Sequence, residues 1–428
     1  MPLILWFPAA FFYLWWLSWE VWYPKYKWVV LEIKPPKEIL KPFRAMEDIY
    51  SGLWGVIDTP NWREKWCEGE VELGGGLWFS FEVVSLGGNI HFYLRIKEEF
   101  RDTAESVIYA QYPDAEITEV EDYAKNVPQD LPNKDWNLYA EDYQFSKEDP
   151  YPIKTYSKFF EERPEVAKEE KRIDPMDALL EGLSKVTPDE QLWLQIGCIP
   201  LLDRLMPKRW ITRGKEIRDE LAKRPKAKKP KPMIEEAVDV LLVGPSTEKE
   251  VKDPFASAVE FRLTPGEKDT LAAIENKISK HGYSCWIRMV HIFKADKPHL
   301  RGRQYTMRSY FQQFMTESLN SINYLGVTRT RIHYVFPKRR LFMRKRRQFR
   351  NYIKRVPPYY PKMTGEPSSF LKLELLGESK GPGLGKGTMV LNIEELATIF
   401  HFPTKIIVPG VPYVEAKKAG PPQDLPTE

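Results

Sequence analysis

The sequence predicts an α+β chain, on three observations. β-rich runs alternate with amphipathic helical stripes rather than clustering in separate halves. Between residues 28 and 120 they follow the order strand, helix, strand, strand, helix, strand. Fourteen Trp, 21 Tyr and 22 Phe in 428 residues supply enough large side chains for a real core and exclude a disordered chain. The 24 glycines follow no strict period, so collagen-like and low-complexity readings fall. The length allows two or three domains at roughly 100–200 residues each.

The first element is an apolar run. Leu3–Trp19 contains no charged residue, and Trp15, Trp16, Trp19 and Trp22 cluster at its C-terminal end. At 1.5 Å per residue, about 17–20 residues span roughly 26–30 Å, a hydrocarbon core's thickness. No basic side chain precedes the run, so it does not read as a signal peptide. Lys25, Lys27, Lys34, Lys37 and Lys41 follow it. The expectation is a single transmembrane helix over 1–23, with the bulk of the chain on the cytoplasmic side of the membrane.

Residues 24–125 form the first predicted domain. Trp28–Ile33 is a strand. Ile39, Leu40, Phe43, Met46, Ile49, Tyr50 and Leu53 mark one helical face. Leu77–Leu86 and Ile90–Ile96 flank Gly87-Gly88-Asn89, a hairpin turn. Phe100–Gln111 is a second helix, stopped by Pro113, and Ala115–Val120 the last strand. This β-α-β-β-α-β order is the ferredoxin-like plan. It predicts the strand order 4-1-3-2 with both helices on one face. His91–Arg95 is aromatic but lacks the Gly-Phe pattern of RNA-binding modules, so its rings are expected to pack within the sheet.

Residues 126–232 read as an irregular connection with helices. Asn137–Tyr139 is expected to lie along a surface. Asp174-Pro175 starts a helix, and Gln191–Ile199 is a buried strand. Arg224–Pro232 is a basic, Pro-rich linker. Residues 233–408 form a second α+β domain, for which another ferredoxin-like unit is the candidate plan. Thr264-Pro265-Gly266-Glu267 is a capping box. Tyr283–Phe293 and Thr328–Phe336 are predicted strands, with a helix near Thr306–Leu319 between them. Phe370–Leu376 and Met389–Leu391 are expected to form a hairpin, followed by a helix capped at Asn392. Residues 409–428 are a tail or linker.

Catalytic motifs are missing. Cys67, Cys198 and Cys285 show no CxxC spacing and are expected to be buried apolar thiols. His291 and His299, eight apart, do not have metal-ligand spacing on one element. Gly381–Thr388 resembles a phosphate loop, but Lys380 stands where the first Gly belongs and Gly387 where Ser or Thr must follow the Lys. No cofactor, metal or catalytic residue is expected.

The strongest local signal is charge. Lys338, Arg339, Arg340, Arg344, Lys345, Arg346, Arg347, Arg350, Lys354 and Arg355 fall in one acid-free stretch, although the whole chain carries only +4. Phe342, Phe349 and Ile353 share a helical face. Such a tract can lie on anionic lipid, neutralise nucleic-acid phosphates, or remain a solvated face.

Several runs resemble a known family. Ile90–Ile96, Glu99–Arg101, Ile108–Ile117 and Glu119–Tyr123, then Leu263–Lys268 and Leu391–Thr404, look like the N-terminal region of conjugative-transfer, type IV secretion-like ATPases of the HerA/FtsK type. The similarity is to the membrane-anchored form of ultra-small uncultured bacteria. There this region precedes a P-loop motor. No Walker A motif occurs in this sequence, so ATPase activity does not carry over. The resemblance implies a non-catalytic membrane-anchored assembly module, with membrane lipids, a separate or fused P-loop ATPase, and other copies of itself as partners. The alternative is a membrane-tethered nucleic-acid-binding protein using 338–355, with DNA as partner.

Overall fold

A computed structural model describes residue 13 and residues 26–39, 42–56, 78–159, 174–201, 210–222, 263–332, 336–358, 387–406 and 408–414. Its frame is one antiparallel sheet of nine strands in an α+β arrangement. The first four strands are β1 (Trp28–Lys34), β2 (Phe79–Leu86), β3 (Asn89–Lys97) and β4 (Glu116–Val120). They lie in the order β4-β1-β3-β2, as the sequence predicts. Helices α1 (Pro42–Trp54) and α2 (Arg101–Gln111) make the crossovers. Gly87 and Gly88 turn β2 into β3 at φ of 62° and 96°, a region open to glycine without a Cβ penalty.

Side-chain parity explains the layers. Leu31, Ile33, Phe81, Val83, Phe92 and Leu94 point to one face, where Met46, Ile49, Tyr50 and Leu53 of α1 and Ala104 and Ile108 of α2 join the same core. Both helices therefore cover one face. Phe100 and Val107 are partly buried and pack against that core's margin.

The second half corrects the predicted boundaries. β5 (Trp136–Phe145), α3 (Pro175–Ser184) and β6 (Glu190–Pro200) all lie in the segment read as a connection. β7 (Gly282–Lys294) and β8 (Ile322–Tyr324) follow. The strands run β6-β7-β5-β8, which is again 4-1-3-2 read from the other side. Between β6 and β7, where the first half has its glycine turn, the chain inserts residues 201–281. That insertion includes α4 (Trp210–Leu221) and α5 (Pro265–Ser279). The two halves join where β2 pairs with β6, from Phe79↔Cys198 to Leu86↔Gln191. Each is the second strand of its half, so the halves meet as a local two-fold would place them.

β5 does not lie on a surface. Tyr139 is buried, because β7 and the segment 328–330 flank it. The predicted strand 328–336 is absent from 328–332 and 336, its described residues. Thr330 only hydrogen-bonds to Ala140, and β8 ends at Tyr324. Helix α6 (Arg301–Gln312) starts earlier than predicted. α7 (Pro337–Ile353) and α8 (Ile393–Ile399) complete the helices used below. A further single turn spans Tyr156–Phe159. β9 (Met389–Asn392) pairs with the start of β7; its predicted hairpin partner, 370–376, lies outside the described residues.

The capping box of Thr264 with Glu267 is present as read from the sequence, and the cap at Asn392 is also a full box, with Glu395. Among the described residues no helix is long and apolar enough to cross a membrane. The segment Leu3–Trp19 that raises the transmembrane expectation lies, Tyr13 apart, outside the described residues. So do Cys67 and residues 380–386 of the glycine-rich loop.

Candidate polyanion-binding surface

The sheet's second face is polar at its centre, and α7 covers that centre. Ser80, Glu82, Gln195, Arg288 and Asp142 are buried there, alternating with the apolar residues of the helix face. A buried carboxylate needs a counter-charge and donors to offset its lost hydration. Arg355, just beyond α7, supplies both. Its Nε and Nη2 donate to the two oxygens of Glu82 at 3.0 and 3.1 Å. Its Nη1 and Nη2 also donate to Asp122 at 2.5 and 2.8 Å. Gln195, Ser80 and the Tyr123 hydroxyl complete the shell around Glu82 at 2.9, 2.8 and 2.6 Å. Burial works against the charged guanidinium, but Glu82 and Asp122 outweigh it and hold its pKa above the ordinary value. Burial likewise pushes up the phenols of Tyr123 and Tyr352, with Glu82 adding to it.

A second set pins the middle of α7. Arg288 Nε donates to Asp142 at 2.6 Å, and Gln348 Nε2 donates to the other Asp142 oxygen at 2.5 Å. Phe349 and Tyr352 add apolar contact with Trp193, Val290 and Ile292. The buried face of α7 is thus Gln348, Phe349, Asn351 and Tyr352. Of the three residues read as sharing one helical face, Phe349 is buried and Ile353 half-buried, whereas Phe342 is exposed and lies under Arg346.

This packing separates the ten basic residues. Lys338, Arg339, Arg340, Arg346, Arg347 and Arg350 are exposed. Arg344 is half-buried and donates to the Arg329 carbonyl at 2.8 Å. Lys345 donates to Asn137 at 2.6 Å, and burial pushes its pKa down. Lys354 is half-buried. Arg355, expected to contact a ligand, is fully buried and serves the sheet. Its partner Glu82 was legible as the one charged residue of β2, a position that requires a buried cation or a donor set.

The outer face is strongly electropositive. Lys338, Arg339 and Arg340 occupy the first turn, with no acid there. They add to the positive end of the helix dipole rather than cancelling it. Between α7 and the turn 325–332 lies a cleft of about 390 Å³. Arg339, Arg340, Arg344 and Arg347 rim it, Val327, Ile332 and Met343 give it apolar walls, and Gln348 and Asn351 line it. Gln348 Oε1 is buried without a hydrogen-bond partner.

The other sequence candidates place as follows. Cys198 and Cys285 are free, buried and directly opposed on β6 and β7, with sulfurs 3.9 Å apart. Among the described residues, no three His, Cys, Asp or Glu side chains converge as a metal site. Gly387 has φ of 64° and leads into β9, not into a helix.

His291 and His299 do meet, because the chain turns back after β7. Their Nδ1 atoms lie 2.9 Å apart, and His291 Nε2 is 3.0 Å from Glu190. If His291 Nε2–H donates to Glu190, its Nδ1 must accept from His299 Nδ1–H, so the His291 ring is neutral; burial keeps His299 neutral as well. Burial, with the facing ring, lowers the pKa of His291 to about 4; burial does the same for His299. The unfolded chain takes up protons near pH 6.5 and the fold does not until about pH 4. This contribution is therefore complete above pH 6.5 and is lost as pH falls toward 4. Each ring adds up to about 1.4 kcal/mol per pH unit in that window. His299→Phe keeps the stack on Tyr139. Urea unfolding between about pH 4 and 7 should show a shallower loss for the variant; equal slopes would refute the neutral pair.

The sequence matches no protein-family profile and no curated protein.

Proposed function

We propose that the chain is a non-catalytic structural module of a type IV secretion-like or conjugative DNA-translocation assembly, anchored to the cytoplasmic membrane by its N-terminal segment. In this reading it is two ferredoxin-like units fused through β2 and β6, a rigid platform for a P-loop motor and for further copies of the chain. The resemblance of residues 90–123, 263–268 and 391–404 to the family supports it.

A second reading has the tether serve nucleic-acid binding through α7. One observation carries it: the underside of α7 is locked to the sheet while six of its eight cations face solvent. A helix used only for packing has no need of so concentrated a field, which opposes its own folding.

Arg344 and Lys345 make internal hydrogen bonds, so the informative variant replaces Lys338, Arg339, Arg346 and Arg350 with Gln. It should melt within a degree or two of the parent. Its affinity for duplex DNA at low salt should fall by tenfold or more. The slope of log K against log salt should drop by about 0.9 for each phosphate contact removed. If affinity falls instead for phosphatidylserine vesicles and not for DNA, the tract serves the membrane. No change with either ligand would remove both roles from α7.

A further inference from the structure

The exposed apolar side chains are not scattered. Among the described residues nine large ones stand exposed, and seven of them lie between Leu300 and Met343. Two are tyrosines held by arginines. Arg308 of α6 lies over Tyr324 at 4.1 Å and over Tyr305 at 5.6 Å. Arg329 lies over Tyr324 at 4.9 Å.

This stack is fixed from below. Glu141, fully buried on β5, accepts both Nε and Nη2 of Arg308 at 3.0 and 2.6 Å. The hydroxyls of Tyr139 and Tyr143 donate to the same carboxylate at 2.7 and 3.0 Å. A guanidinium held this way keeps the rings beside it in place, so a ligand stacking on them has little side-chain freedom to freeze. The stack also continues into the basic surface. The Arg329 carbonyl accepts from Arg344 of α7, and Val327 and Thr328 form a wall of the cleft that Arg339 and Arg340 rim.

Rings alternating with fixed cations along a path suit a polymer with flat faces and a charged backbone. Duplex DNA hides its base faces, and exposed rings gain little from it. A lipid surface rewards a continuous apolar face with cations at its margins. Here the apolar groups come from α6, β8, a turn and α7, with arginines between them. Single-stranded nucleic acid presents both the π faces and the phosphates.

We infer that the strip from Tyr305 across Tyr324 to the cleft beside α7 is a path for single-stranded nucleic acid, with bases on the tyrosines and phosphates on the arginines. The inference rests on the nucleic-acid reading of α7 and narrows it to one class of ligand.

The test uses the whole chain with a labelled oligothymidylate of about 20 nucleotides, longer than one such site, and a duplex of equal length. The single strand should bind at least tenfold tighter than the duplex at the same salt. Tyr305→Ala should weaken single-strand binding by about tenfold and leave duplex binding unchanged. Tyr305 is 55% exposed, so its removal does not threaten the fold. Tyr324→Ala should act alike and Tyr324→Phe should bind as the parent does. Equal affinity for both ligands, with the tyrosine variants unaffected, would overturn the stacking path and leave the basic tract as a general phosphate surface. Binding to neither ligand would overturn the nucleic-acid reading and this inference with it.

Discussion

Arg355→Ala should destabilise the fold by about 3–5 kcal/mol, the usual cost of leaving a buried charge unpaired. Glu82 is fully buried and cannot reach water once the guanidinium is gone. Gln195, Ser80 and Tyr123 still donate to it, but none is charged. Asp122 is less enclosed, with 19% of its side chain exposed, so Glu82 carries most of the cost. The variant Glu82→Gln in the Arg355→Ala background should recover part of the loss, since an amide tolerates the site better than a bare carboxylate. Urea unfolding of the two single variants and the double variant measures this coupling. Strict additivity would mean that the pair does not interact. Arg355 follows α7 directly, so Arg355→Ala should also weaken polyanion binding by loosening the helix. The four-Gln variant should show the reverse pattern, with binding lost and stability kept.

What could be read from the sequence was local. The Gly87-Gly88 turn, the Asp174-Pro175 helix start and the caps at Thr264 and Asn392 depend on residues within four positions of one another, and all are present. The strand order of the first half followed from element order and the right-handedness of crossovers. β5 escaped because both its faces are covered and it carries Glu141 and Asp142, both fully buried. Period-2 patterning cannot flag a strand whose buried side chains are acids with distant partners. The second half was misbounded for a related reason: its hairpin is opened by the insertion 201–281, which hides the same strand order.

The candidate site divides in the same way. The ten cations were visible as a run, but their fates were not. Arg355 is set apart by Glu82, 273 positions away in the chain. Nothing near Arg355 distinguishes it from Arg350, which is exposed. Tyr305 and Tyr324 carried no signal at all, because their role depends on Arg308 and on the buried Glu141 beneath it.

Glu395→Ala should have an effect as large as Arg355→Ala, about 3–5 kcal/mol, at the opposite layer of the molecule. Glu395 and Lys277 are paired at 3.0 Å with both side chains fully buried. The carboxylate also accepts the Asn392 amide at 2.9 Å, closing the capping box of α8, and the Ile153 amide at 2.9 Å. Removing it leaves an ammonium with, among the described residues, only the Tyr151 carbonyl at 3.4 Å and the Phe145 ring at 4.8 Å. It also orphans two backbone donors. The cap alone is worth about 0.5–2 kcal/mol, so Asn392→Ala, which removes the reciprocal half of the box, should cost much less. If the two variants unfold at the same urea concentration, the buried ion pair contributes nothing beyond the cap. If Glu395→Ala with Lys277→Met is more stable than Glu395→Ala alone, the loss comes from the stranded ammonium, and the pair serves to tie α5, β9 and α8 together rather than to add net stability.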